Sequence, residues 1–113
     1  MNYDEMLAGP EMDMAIGRLM GYDYREYTKL PGNFAVYGCP FACDAEDFTP
    51  STNIAHAWEV VQKVTGDRRV DAFELSWDDL GWVVATMDWT YWVRADTAPL
   101  AICRAALKAM DRI

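Results

Sequence analysis

Residues 70–110 read VDAFELSWDDLGWVVATMDWTYWVRADTAPLAICRAALKAM, and the periodicity of this stretch decides the fold. Phe73, Leu75 and Trp77 alternate with Glu74 and Ser76, the period of two that marks a half-buried strand. Asp78-Asp79-Leu80-Gly81 is turn chemistry: acidic side chains that bond their own backbone, then a glycine that tolerates positive φ. Trp82–Met87 is apolar on both sides, which predicts a central strand covered on two faces. Asp88 opens a second tight turn. Trp89, Tyr91 and Val93 then alternate with Thr90, Trp92 and Arg94. Connections this short permit only an antiparallel meander, because a parallel return needs a dozen residues or more.

The meander runs straight into a helix. Thr97 is the predicted N-cap and Pro99 falls in the first turn, where a missing N–H costs little. Leu100, Cys103, Leu107 and Met110 recur at helical spacing, and Ile102, Ala105, Ala106 and Ala109 widen the stripe. Arg104, Lys108 and Arg112 follow one another at intervals of four on the other side. Upstream, Pro10 or Glu11 opens a helix through Met20, with Met12, Ala15, Ile16, Leu19 and Met20 as its apolar stripe and Gly21 as its stop. A further helix spans Ser51–Val64, capped by Ser51 or Thr52, with Ile54, Trp58, Val61 and Val64 or Thr65 facing the core and Gly66 ending it. The expected class is therefore α+β: an antiparallel three- to four-stranded meander packed with about three helices, in a single domain over residues 1–113.

Residues 21–49 are harder to place. Tyr22, Tyr24, Tyr27, Phe34, Tyr37, Phe41 and Phe48 are interleaved with Arg25 and Lys29, and Phe34–Tyr37 suits a short edge strand. A long structureless segment is uncommon in a compact domain and is often functional. One reading is a loop whose aromatics plug the sheet. The other is a binding loop that offers stacking surfaces and cations.

Three blocks resemble the phage ABA sandwich domain family: Ala95–Leu107 (ADTAPLAICRAAL), Pro50–Val61 (PSTNIAHAWEVV) and Met14–Tyr22 (MAIGRLMGY). With the hairpins between them they span most of the chain apart from roughly residues 25–49. The resemblance implies an α-β-α sandwich encoded by a phage or prophage, and it brings no catalytic motif with it. Asn53 and His56 stand where the family favours an acid and an alanine.

Composition narrows the function. The chain carries a net charge of −8, and residues 1–50 hold nine acids against three bases. Binding duplex nucleic acid needs a basic stripe that releases counterions, and no such stripe is present in the sequence. No apolar run approaches a membrane span, and the N-terminus lacks the basic flank of a secretory signal, so a cytoplasmic protein is expected, in a bacterial host cell as the resemblance implies. Three cysteines without framework spacing suit a reducing compartment. Cys39 and Cys43 fall short of the four soft ligands that structural zinc takes, so no metal and no cofactor are expected. His56 is the single histidine; without a nucleophile motif beside it, a packing or surface role ranks ahead of a general base, and no catalytic residue is assigned.

The expected function is thus non-enzymatic. An accessory binding protein could sequester a small nucleotide-type host immune signal, with Tyr24, Arg25, Tyr27, His56, Trp58, Arg68, Arg69, Tyr91 and Arg94 as candidate ligand-binding residues that stack bases and pair phosphates. The alternative is an acidic inhibitor or adaptor that docks on a basic host or phage protein. A symmetric homodimer would cover whichever sheet face the helices leave bare.

Overall fold

The computed structural model describes residues 6–39, 44–66, 73–86 and 91–111. Along the chain it places α1 (Pro10–Leu19), β1 (Asp23–Glu26), β2 (Phe34–Tyr37), a 3-10 turn (Ala45–Asp47), α2 (Ile54–Gly66), β3 (Phe73–Asp78), β4 (Gly81–Thr86), β5 (Tyr91–Ala95) and α3 (Ala98–Asp111). Two antiparallel sheets result, β1–β2 and β3–β4–β5, so the fold is α+β as expected.

The meander is antiparallel as expected, and the structure sets its register. Leu75 lies opposite Val84 and Val84 opposite Val93, while Trp77, Trp82 and Ala95 align one step along. Phe73, Leu75, Trp82, Val84, Val93 and Ala95 share the face that joins the core, whereas Glu74 and Ser76 are exposed. Val83, Val84 and Ala85 are all buried, as a central strand requires. Trp77 departs from its face: it is 67% exposed, because it sits at the hairpin tip beside the turn. There the Asp78 carboxylate accepts the Leu80 N–H at 2.9 Å. Gly81 closes the turn at φ +127°, and a Cβ at this position would stand 2.7 Å from the Ala95 carbonyl oxygen.

Thr97 caps α3, its hydroxyl accepting the Leu100 N–H at 3.4 Å. The helix is buried almost all round, from Leu100 through Ala109, apart from the half-buried Arg104 and Lys108. It touches β4, β5, α2 and α1, and its alanines allow that approach on several sides. The side chains of Met110 and Arg112 lie outside the described residues. Arg104 and Lys108 do not simply face solvent. Arg104 donates to the carbonyls of Arg94 and Met6, both at 2.9 Å, and Lys108 donates to the Trp92 carbonyl at 3.3 Å. The free edge of β5 is thereby covered, as exposed strand edges generally are.

Helix α1 runs as expected, with Met12, Ile16 and Met20 buried and Gly21 at φ +87° after its end. Two expectations for α2 are corrected. Its cap is Asn53, whose side-chain oxygen accepts the N–H groups of Ala55 at 2.9 Å and His56 at 3.3 Å. Its buried stripe is Ala57, Val60 and Val64, leaving Ile54 and Trp58 about half exposed. A shift of one position turns the helix by about 100°, enough to exchange one plausible apolar face for its neighbour.

The segment 21–49 is not a structureless loop. Phe34–Tyr37 is a strand, and it pairs with Asp23–Glu26 in a hairpin that the sequence reading did not contain.

Candidate functional site

The hairpin, the 3-10 turn, the start of α1 and the turn before α2 enclose a cleft of about 740 Å³. The connection between β1 and β2 supplies Tyr27, Leu30, Asn33 and Phe34, and the 3-10 turn supplies Asp44, Ala45 and Glu46. Gly9, Pro10, Asp13 and Met14 come from the start of α1, and Thr49 and Thr52 from the turn before α2.

Local bonding explains why these pieces hold their places. The Tyr27 N–H bonds the Asn33 carbonyl at 2.9 Å and the Asn33 N–H bonds the Leu30 carbonyl at 3.1 Å. Glu26 accepts the Gly32 N–H at 2.9 Å. The Tyr27 hydroxyl donates to the Asp44 carboxylate, tying the hairpin to the 3-10 turn, and Asp44 also bridges to Ala35 of β2.

Beside the cleft lies a buried polar knot. The Asp13 carboxylate, 5% exposed, accepts the Ser51 N–H at 2.8 Å, and the Ser51 hydroxyl accepts the Gly9 N–H at 3.1 Å. Buried backbone donors need such partners. Burial pushes the Asp13 carboxyl above its ordinary value, against the opposing pull of its bonds to Ser51 and the charge of His56.

Asp13, Asp44 and Glu46 give the cleft three carboxylates, and among the described residues no lysine or arginine lines it. Pro10, Met14, Leu30 and Phe34 give it apolar wall. Carboxylates beside apolar surface favour a cation on an apolar stem over a phosphate.

The candidate ligand residues do not converge. Among the described candidates only Tyr27 reaches this cleft. Tyr24 lies against α1, its hydroxyl occupying the space a Cβ on Gly17 would need. That hydroxyl is buried without a hydrogen-bond partner among the described residues, and its pKa is pushed up to about 12, first by burial and then by Cys39. Arg25 pairs with Asp23 at 2.9 Å and lies over the Tyr37 ring at 4.8 Å from its centre. Arg94 is on the other sheet, paired with Asp78 at 2.6 Å. His56 accepts the Thr49 N–H on Nδ1 at 3.1 Å and stacks on Phe48 with ring centres 5.5 Å apart, a packing role. Trp58 is half exposed on α2 and does not line the cleft. Arg68, Arg69 and the Tyr91 side chain lie outside the described residues, as do Phe41 and Cys43.

The aromatics of residues 21–49 divide between the two roles considered for them. Phe48 is fully buried, with Tyr22 edge-on to it at 5.4 Å between ring centres. Tyr27 and Phe34 face the cleft. Sequence reasoning missed Asp13, Asp44 and Glu46. Asp13 stands in the first turn of α1, where an acid suits the helix dipole and gives no signal of a cleft. Among the described residues no three histidine, cysteine or acidic side chains gather as a metal site.

Residues 18–107 match the family model of the phage ABA sandwich domain. No curated protein and no solved structure matches the chain. The match begins within α1, downstream of Asp13, so one wall of the cleft is built from residues that precede it. Among the described residues no helix is long and apolar enough to cross a membrane.

Proposed function

The chain belongs to the phage ABA sandwich domain family, and on that premise we propose that it is an accessory protein that acts by binding rather than by chemistry, docking its acidic side on a basic host or phage protein. The observation that carries this reading is the polarity of the cleft: three carboxylates set in apolar wall, with no lysine or arginine among its described lining residues. The net charge of −8, concentrated in residues 1–50, points the same way. A negative field steers a basic partner into encounter, and buried apolar contacts then supply affinity.

Sequestration of a nucleotide-type host immune signal ranks second. A phosphate needs cations or free backbone donors turned into the site. Arg25 and Arg94 lie on separate sheets, and each already has a carboxylate partner.

Thermal-shift titration separates the two, because a ligand that binds only the folded chain raises its apparent stability by mass action. Synthetic peptides that interleave arginine or lysine with leucine are expected to raise the melting temperature. Cyclic and ADP-ribose-type nucleotides are expected to leave it unchanged. The opposite pattern would replace docking by sequestration.

A further inference from the structure

Resting on the docking reading above, we infer that the cleft itself is the point of contact and that it takes a lysine or arginine side chain next to an apolar one, from an extended segment of the partner. The cavity of about 740 Å³ falls in the range of small-ligand sites, room for two adjacent side chains and not for a folded domain. Its two kinds of surface match the two side chains. Pro10, Met14, Leu30 and Phe34 can cover an aliphatic or aromatic group. Asp44 and Glu46 can take the cation.

The Asp44 carboxylate is bonded by the Tyr27 hydroxyl. A carboxylate has about four acceptor sites, so Asp44 retains capacity for a guanidinium or ammonium group. The hydroxyl also holds Asp44 in position before the ligand arrives, which lowers the ordering cost of binding. The start of a helix by itself favours an anion. Here Glu11 and Asp13 stand in the first turn of α1, and the Gly9 N–H is already bonded to Ser51. The local field therefore does not oppose a cation.

The test uses the full chain labelled with ¹⁵N and three probes: acetyl-leucyl-arginine amide, the same peptide with glutamine in place of arginine, and the same with glutamate. The arginine peptide is expected to shift the backbone amides of Gly32, Asn33, Thr49 and Thr52. The glutamine peptide should bind about tenfold more weakly, and Glu46→Gln should weaken the arginine peptide by about threefold, the size expected for solvent-accessible charge pairs. Asp44→Asn, which keeps an oxygen for Tyr27, should weaken it similarly. Shifts centred away from the cleft, or equal binding of the glutamine and arginine peptides, would overturn the inference. Suppose instead that longer basic peptides raise the melting temperature and neither substitution alters their affinity: then the cleft assignment fails and docking stands. If no basic peptide binds at all, both fail together.

Discussion

The β3–β4–β5–α3 unit and the β1–β2 hairpin arm are both rich in aromatic residues and both leave some of them exposed, yet they are held together in different ways. In the first, Val84, Val93, Ile102 and Cys103 are essentially inaccessible to water, and α3 is enclosed along most of its length. In the second, Leu30 and Tyr37 are more than half exposed, and the connection is held by backbone bonds and by Tyr27 on Asp44. Burial concentrates stability in the C-terminal unit. Polar tethers leave the hairpin free to present a surface. A region organised by burial is intolerant of change, and one organised by tethers can vary its side chains at little cost.

The sharpest way to break that contrast is a pair of truncations. Ile102→Ala should cost about 3 kcal/mol as a buried large-to-small change, whereas Leu30→Ala should stay within about 0.5 kcal/mol as a surface one. Urea denaturation of both variants decides the matter, and comparable losses would mean that the hairpin carries stability as well.

Next in size is Ser51→Ala. It removes a hydroxyl that bonds both the partly buried Gly9 N–H and the buried Asp13 carboxylate, and should cost about 2 kcal/mol for the two bonds together. A loss no larger than that of a surface substitution would remove the polar knot as the support of the cleft wall. Asn53→Ala should cost about 1 kcal/mol by loss of the cap, with Thr52→Ala nearly silent; the ratio of their thermal shifts checks which residue caps α2.

Asp13 adds a test in pH. Its carboxyl is raised above the ordinary 3.8 by burial. A raised carboxyl contributes stability that is fully present below the unfolded-state value and is lost as pH rises through the folded one. Asp13→Asn deletes this titration. The stability difference between variant and parent should therefore move in favour of the variant as pH climbs from 3.8 through the raised value. A difference that stays flat across that window would place the carboxyl in an ordinary environment. Smallest of all, Arg25→Ala should change stability by less than about 0.5 kcal/mol, because its pair with Asp23 is solvent-exposed.

Legibility followed the same division. The strands of the meander, the Thr97 cap and the tight turn at Gly81 were all readable, because each is set by neighbours within a few residues. The α2 stripe was read correctly at Val61 and Val64 but not at Ile54 and Trp58, which make as plausible an apolar face as Ala57 and Val60 until the packing partner is known. β1 escaped notice because Asp23-Tyr24-Arg25-Glu26 has three charged residues in four and becomes a strand only by pairing with β2. The cleft was least visible. Asp13 stands far in sequence from Asp44 and Glu46, and each has an ordinary local explanation.

The amino-acid order alone determined the antiparallel meander, the helix that follows it, the family, and the acidic balance. The first two depend on local periodicity, the third on blocks of similar sequence and the last on summed charge, all of which survive without knowledge of the fold. Only the tertiary structure decided that α3 is enclosed rather than laid on a surface, that Asp13 is buried against Ser51, and that Tyr27 meets Asp44. Those depend on which distant segments share one volume, and neither side-chain periodicity nor composition carries that information.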